Sequence, residues 1–248
     1  MGGLENIWSR LGYSHQTLLL LSVIAIAAYL IGSLNFGILL SKTIKGEGIR
    51  QYGSGNAGTT NALRSYGKSM AVAVLLGDIL KGVLAVLLGG WILQLGLSGH
   101  PPLFGNIGSY CAGAFVLLGH VFPLYFALKG GKGVATAFGV LLVLDYRVAL
   151  MGLLVFVMFT AISRMVSVGS LVGALSLPFW TLLFLNWNAF TERQYLSDAG
   201  DIGIKVGFMS LLALILVVTH RKNIVRIILG KEDKLSFRSK SKNKTEEG

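Results

Sequence analysis

Long apolar runs separated by short polar clusters organise this chain. Read against breaks of Gly, Pro and charge, they predict helices at 17–42, 70–95, 107–127, 134–145, 148–163, 168–187 and 204–220. An α-helix needs about 20 apolar residues to cross a hydrocarbon core, and most of these runs supply them. The fourth is short for a full crossing. The Asp145-Tyr146-Arg147 break after it reads equally as a kink or a shallow turn, which changes the count by one. The run from Thr17 to Leu40 is longer than the apolar region of a cleavable signal and leads into a polar motif, so it is read as the first crossing. The fold class is an all-α integral membrane protein, a polytopic bundle of about seven transmembrane helices. Residues 1–230 form one domain, and 231–248, charged and almost free of apolar side chains, read as a disordered tail.

Composition sharpens this picture. With 53% hydrophobic and 13% charged residues, the chain cannot cover a soluble domain with polar surface. Its single cysteine, Cys111, lies in an apolar stretch and excludes a disulfide framework or a cysteine-rich metal site. The net charge of +11 could indicate nucleic acid, but the excess flanks the apolar runs. Seventeen of the 22 Lys and Arg fall in 42–69, 128–133, 164–167 and the segment after 220, against four in the start, 145–147 and 188–205. The positive-inside rule then puts the first set in the cytoplasm, the N-terminus outside and the C-terminus inside, with no nucleic-acid partner required. Attraction to anionic membrane lipids is the natural role of the basic tail.

On that topology every chemically equipped segment opens on one side. The first is Gly53-Ser54-Gly55-Asn56-Ala57-Gly58-Thr59-Thr60-Asn61, followed by Arg64. Its glycines let backbone approach a ligand, and its amides and Ser, Thr and Asn side chains suit phosphate oxygens. The same composition also makes ordinary connectors, and no Gly-Lys-Ser/Thr ending marks a P-loop. The second runs from Gly119-His120-Val121-Phe122-Pro123 into Lys129-Gly130-Gly131-Lys132-Gly133. Two lysines on a glycine turn entering a helix would draw a dianion, although a positive-inside turn would look alike. The third holds Ser167 and Ser170 on one helical face, a spacing that also serves helix packing. The fourth leaves the last helix with His220 and Asn223 on one face, in what is otherwise a basic flank.

Asp78 and Lys81, three apart within the second helix, read as a structural pair, and His15 and His100 as solvated. The cytoplasmic loops between crossings hold one carboxylate, Glu47, and no paired acids, metal cluster or Ser-His-Asp set. The pattern of His followed five residues later by Asp, expected of thioester-using glycerolipid acyltransferases, does not occur.

These four segments, with Gly32-Ser33-Leu34-Asn35-Phe36-Gly37 and Leu76-Gly77-Asp78-Ile79-Leu80-Lys81-Gly82, resemble the bacterial acyl-phosphate:glycerol-3-phosphate acyltransferases, the PlsY family. The resemblance covers 25–135, 160–175 and 218–232. It implies a multi-pass enzyme of the bacterial inner (cytoplasmic) membrane whose site faces the cytoplasm. Such an enzyme transfers an acyl group from acyl phosphate to the 1-hydroxyl of glycerol 3-phosphate, the first step of phospholipid synthesis. The products are lysophosphatidate and inorganic phosphate, no metal or other cofactor is needed, and the enzyme that makes acyl phosphate becomes a candidate partner. The positions matching catalytic residues are Ser54, Arg64, Lys132, Ser170, His220 and Asn223, with Gly53, Gly55, Asn56, Asn61, Lys129 and Ser167 as phosphate-binding supports. This chain departs from the family in Asn35, where proline is common, in Thr59, where alanine is common, and in its length. A membrane transporter for phosphate or an organic phosphate is the rival, since glycine-broken helices also build carrier sites; the one-sided clustering of the motifs and the lack of an internal repeat speak against it.

Overall fold

The computed structural model describes residues 15–97, 107–191 and 199–235, with backbone only at 187–191 and 199–201. His100, the first 14 residues, residues 192–198 of the 188–203 segment and the tail beyond 235 lie outside the described residues. The helices are α1 (His15–Ser33), α2 (Phe36–Lys45), α3 (Thr59–Tyr66), α4 (Lys68–Gly96), α5 (Ile107–Val121), α6 (Val134–Leu144), α7 (Tyr146–Ser163), α8 (Val166–Thr191), α9 (Ala199–Thr219) and α10 (Arg221–Ile228).

Six of the apolar segments among the described residues are long enough to cross a membrane: His15–Lys45, Lys68–Gly96, Ile107–Phe126, Tyr146–Ser163, Val166–Asn186 and Ile202–Thr219. The fourth predicted element is α6, which has 11 residues and stops at Asp145. Asp145 ends it because its side chain accepts from the amides of Arg147 and Val148 and so caps α7. The structure thus divides 134–163 into a short apolar helix and a full-length one, as the break in the sequence allowed.

The first crossing is also divided, where the sequence predicts one helix over 17–42. Asn35 takes an extended conformation between α1 and α2, and its side chain accepts from the Ile38 amide at 3.1 Å. It is therefore the N-cap of α2, a task for which Asn is well suited. Lys81 of α4 donates to two carbonyls freed at this break, those of Gly32 at 3.2 Å and Leu34 at 2.9 Å.

Small residues let the helices meet closely. A Cβ added at Gly32 would lie 2.1 Å from the Val116 carbonyl oxygen, and one at Gly119 would lie 2.2 Å from that of Tyr29, so α1 and α5 touch backbone to backbone. The core is built on Ile24, Val86, Leu93, Val116, Leu117 and Val140, whereas Leu19, Ile26, Leu84, Leu154 and Ile162 are exposed. Large aliphatic side chains on the outside of an apolar bundle match a lipid-facing surface.

Two short helices flank the bundle where the sequence predicts a loop and a basic flank. α3 carries Asn61 and Arg64, and α10 continues from α9 with Asn223 on its buried side. Beyond α10, residues 231–235 do not leave the protein: Leu235 donates its amide to the Arg164 carbonyl at 2.7 Å. Gly230 causes the return. Its φ of 65° closes α10 with bonds from Gly230 N to Ile227 O and from Lys231 N to Arg226 O, the Schellman pattern.

Candidate functional site

The 49–58 segment is shaped from beneath by Asn61. Gly53 and Gly55 have φ of 58° and 70°, a left-handed conformation that disfavours other residues. Asn61, 2% exposed, accepts from the Ser54 amide at 2.9 Å and donates to the Ile49 and Tyr52 carbonyls, each at 3.0 Å. Both ends of its amide hold the loop, so Asn61 acts as a brace. Ser54, Gly53 and Gly55 are exposed above it and Asn56 is half-buried. One turn along α3 lies Arg64.

The Lys129–Gly133 turn folds back over the end of α5. The Gly131 amide donates to the His120 carbonyl at 3.2 Å, and a Cβ on Gly131 would sit 2.3 Å from His120 Nε2. Only glycine fits against that ring, which joins the second motif's two halves. Lys129 is exposed, while Lys132 is half-buried and its carbonyl accepts from Thr219 Oγ1 at 3.0 Å, tying the turn to the end of α9. Burial, opposed by Glu232 and aided by Arg226 and Arg64, brings the Lys132 pKa down to about 8.

The third and fourth motifs meet through the returning segment. Glu232 Oε1 accepts from Ser167 Oγ at 2.5 Å and from Asn223 Nδ2 at 2.6 Å, and Asn223 Nδ2 also lies 2.8 Å from Ser167 Oγ. Glu232 Oε2 accepts from Arg226 Nε at 2.8 Å. These bonds hold the Glu232 carboxyl below the usual range despite its burial. Asp233, next along, pairs with Arg64 at 2.6 Å.

His220 is 2% exposed, and its Nδ1 lies 2.7 Å from the Leu216 carbonyl, which fixes Nδ1 as the donor and Nε2 as an acceptor. Burial, aided by the Lys132 charge and opposed by the Leu216 bond and Glu232, brings its pKa down to about 4, so the imidazole is neutral at pH 7. Ser170, one turn below Ser167, is buried and donates to the Val166 carbonyl of its own helix at 2.9 Å.

Arg64, Lys132, Ser167, His220 and Asn223 thus gather at one end of the bundle. The Ser54 loop joins them through α3, and Lys129 is exposed on the Lys129–Gly133 turn. Sequence reasoning missed Arg226, Glu232 and Asp233, having placed the last two in a tail. The available signal was Gly230 directly after a helical pattern with Asn223 and Arg226 three apart. Among the described residues, no group of three or more His, Cys, Asp or Glu is placed to hold a metal ion.

The family model described as glycerol-3-phosphate acyltransferase matches residues 22–230. A glycerol-3-phosphate acyltransferase of Ralstonia pickettii (strain 12J) is 36% identical over 223 residues, covering 88% of this chain and 96% of its own. That of Thiobacillus denitrificans (strain ATCC 25259 / T1) is 36% identical over 217 residues, 88% of this chain and 98% of its own. The fold resembles the crystal structure of PlsY, an integral membrane glycerol 3-phosphate acyltransferase, in its glycerol 3-phosphate form. The TM-score is 0.72 at 30% identity, with 87% of this chain and 96% of that one covered. The lysophosphatidic acid form aligns with a TM-score of 0.70 at 29% identity, covering 87% and 95%. None of these relatives supports the carrier reading. By the extent of the family match and the identity to its members, this chain belongs to the glycerol-3-phosphate acyltransferase family.

Proposed function

We propose that the protein transfers an acyl group from acyl phosphate to the 1-hydroxyl of sn-glycerol 3-phosphate, releasing lysophosphatidate and inorganic phosphate. The observation that carries this reading is the convergence of Arg64 and Lys132, from separate motifs, on a site rich in hydroxyl and amide donors. An acyl phosphate is a mixed anhydride with a good leaving group. Its transfer needs charge neutralisation and alignment more than a strong base.

Arg64 and Lys132 bind phosphate groups, and the amides and hydroxyl of the 53–58 loop donate to phosphate or to the reacting carbonyl. His220, neutral and with Nε2 as acceptor, orients the attacking hydroxyl, and Asn223, Ser167 and Ser170 complete the pocket. With its pKa near 4, His220 is a weak base at pH 7, and Glu232 is engaged by three donors. A substrate phosphate is then the acceptor of the hydroxyl proton. The 1-hydroxyl oxygen forms the new ester bond as the acyl carbon–phosphate oxygen bond breaks.

In this reading α6 completes a seventh crossing, the N-terminus is outside, and the site opens to the cytoplasm of a bacterial inner membrane, next to anionic lipid and to the enzyme that supplies acyl phosphate. The one-sided basic charge of the motif segments supports that orientation. The test is phosphate release by the purified protein in lipid, given palmitoyl phosphate with and without glycerol 3-phosphate. Release that needs both and accompanies lysophosphatidate is the expected result; turnover with acyl-CoA in place of acyl phosphate would overturn the donor assignment.

A further inference from the structure

We propose that a cavity at the end of the bundle that carries the motifs binds the phosphate of an anionic glycerophospholipid through Lys42 and Arg50, separately from the acyl-transfer site. The cavity holds about 340 Å³ and lies between the last turn of α2, the Ile49–Gln51 turn and the Leu124–Phe126 turn. None of the residues placed in the acyl-transfer site lines it.

Ser41 builds the cationic side. Buried near the end of α2, its hydroxyl donates to the Ile38 carbonyl and accepts from the Ile49 amide at 3.1 Å, which pins the turn carrying Arg50 against the helix carrying Lys42. Neither cation pairs with a carboxylate among the described residues, and Glu47, in the loop between them, is taken by the Tyr52 hydroxyl. Arg50 is half-buried, its Nη2 is closed off from solvent without an acceptor, and burial lowers its pKa with no negative charge opposing. A desolvated guanidinium lacking a counter-charge is costly, and a phosphate is the partner its fork of donors fits.

The other walls select the kind of anion. Ile38 and Ile49 belong to a second apolar core against which Phe126 packs, and Tyr125 is exposed beside them. The first crossing ends at Lys45 and the third at Phe126, so the cavity sits where crossings meet the lipid–water boundary, with Phe122, Leu124 and Leu128 exposed around it. Ala127 and Leu128 hold this wall with φ of 53° and 56°, a conformation that side chains other than glycine mostly avoid. A free phosphate gains nothing from apolar walls, whereas a phospholipid lays its glycerol and first methylenes on them. Basic pockets at the ends of crossings hold lipid headgroups in this way.

The test is native mass spectrometry of the full chain in detergent, titrated with dioctanoyl phosphatidylglycerol and, in parallel, with dioctanoyl phosphatidylcholine. Saturable retention of one phosphatidylglycerol is expected, with phosphatidylcholine weaker by at least about tenfold. Lys42→Gln combined with Arg50→Gln should raise the Kd for phosphatidylglycerol at least about tenfold at an unchanged melting temperature. Ala127→Asp, which sets a carboxylate in the wall at a backbone conformation Asp tolerates, should weaken binding in the same direction. Lys240→Gln combined with Lys242→Gln, in the basic tail, should leave it intact, as should an excess of inorganic phosphate or glycerol 3-phosphate. Equal retention of phosphatidylcholine, wild-type binding in both cavity variants, loss that only tracks lowered melting temperatures in both, loss in the tail variant, or displacement by either free phosphate would each overturn the proposal. The readout requires no turnover, so it stands or falls independently of the reaction assigned above.

Discussion

Lys81 holds its ammonium 2.8 Å from the Asp78 carboxylate, with both side chains 2% exposed, and the same ammonium meets His120 Nδ1 at 2.8 Å. Since it also donates to the Gly32 and Leu34 carbonyls, one cation satisfies the break in the first crossing, an acid one turn away and the histidine under the Lys129–Gly133 turn. The pair braces the site without entering it. Lys81→Met would leave the buried Asp78 carboxylate with only His120 Nδ1, 3.5 Å away, and expose two carbonyls to apolar surroundings. Breaking one side of a buried pair costs about 3–5 kcal/mol. A melting temperature in detergent close to wild type would refute this brace, and adding Asp78→Asn should recover part of the loss.

Arg64→Ala and Lys132→Ala should each lower kcat/KM by at least about 100-fold, the scale on which removing one preorganised charge-stabilising group acts. Both residues lie outside the apolar core, so insertion and elution in size exclusion should stay normal. Lys244→Ala is the companion substitution, and its turnover should equal the wild type. If the tail change alone abolished turnover, the site would have been misplaced.

Much of this was legible because polar residues inside an apolar chain are costly and so carry information. Gly53, Arg64, Lys132, Ser167, His220 and Asn223 stand out as clusters between apolar runs, and of the pair that helical spacing puts on one face, His220 and Asn223, both are buried. The break at Asn35 was not legible, because Asn is tolerated within helices and the residue that compensates the freed carbonyls, Lys81, lies 47 positions away from Leu34. Asn61 looked like a ligand from its motif, yet a buried amide meeting three backbone groups serves the loop instead. Glu232 was hidden by composition: a short charged stretch after a basic helix reads as solvated, and only the left-handed turn at Gly230 brings it back.

The pH dependence follows from Lys132. Its pKa in the free protein is about 8, lowered by burial, and the cation is the form that binds phosphate. The protonated fraction falls as pH rises through that value, so kcat/KM should decline on the alkaline side with a midpoint near 8. Bound dianionic substrate favours the charged lysine, which pushes the limb of kcat to higher pH than that of kcat/KM. Lys132→Arg should abolish the limb if it keeps activity. A pH-independent kcat/KM between about 7 and 10 would show that Lys132 does not carry the essential charge.

Gly131→Ala tests the joint between the two halves of the second motif. The added methyl would stand 2.3 Å from His120 Nε2 and 3.0 Å from Cε1, inside any permitted contact, and the ring cannot swing away without leaving Lys81 and Thr136, its partners at 2.8 and 3.2 Å. The turn must therefore lift, carrying Lys132 with it and stretching the bond from Thr219 to the Lys132 carbonyl. Overpacking of this kind costs about 1–3 kcal/mol of stability. Displacing Lys132 by about 1 Å should cost activity more, near 100-fold. A variant that loses stability yet turns over at the wild-type rate would mean that the turn's position does not set the position of the lysine.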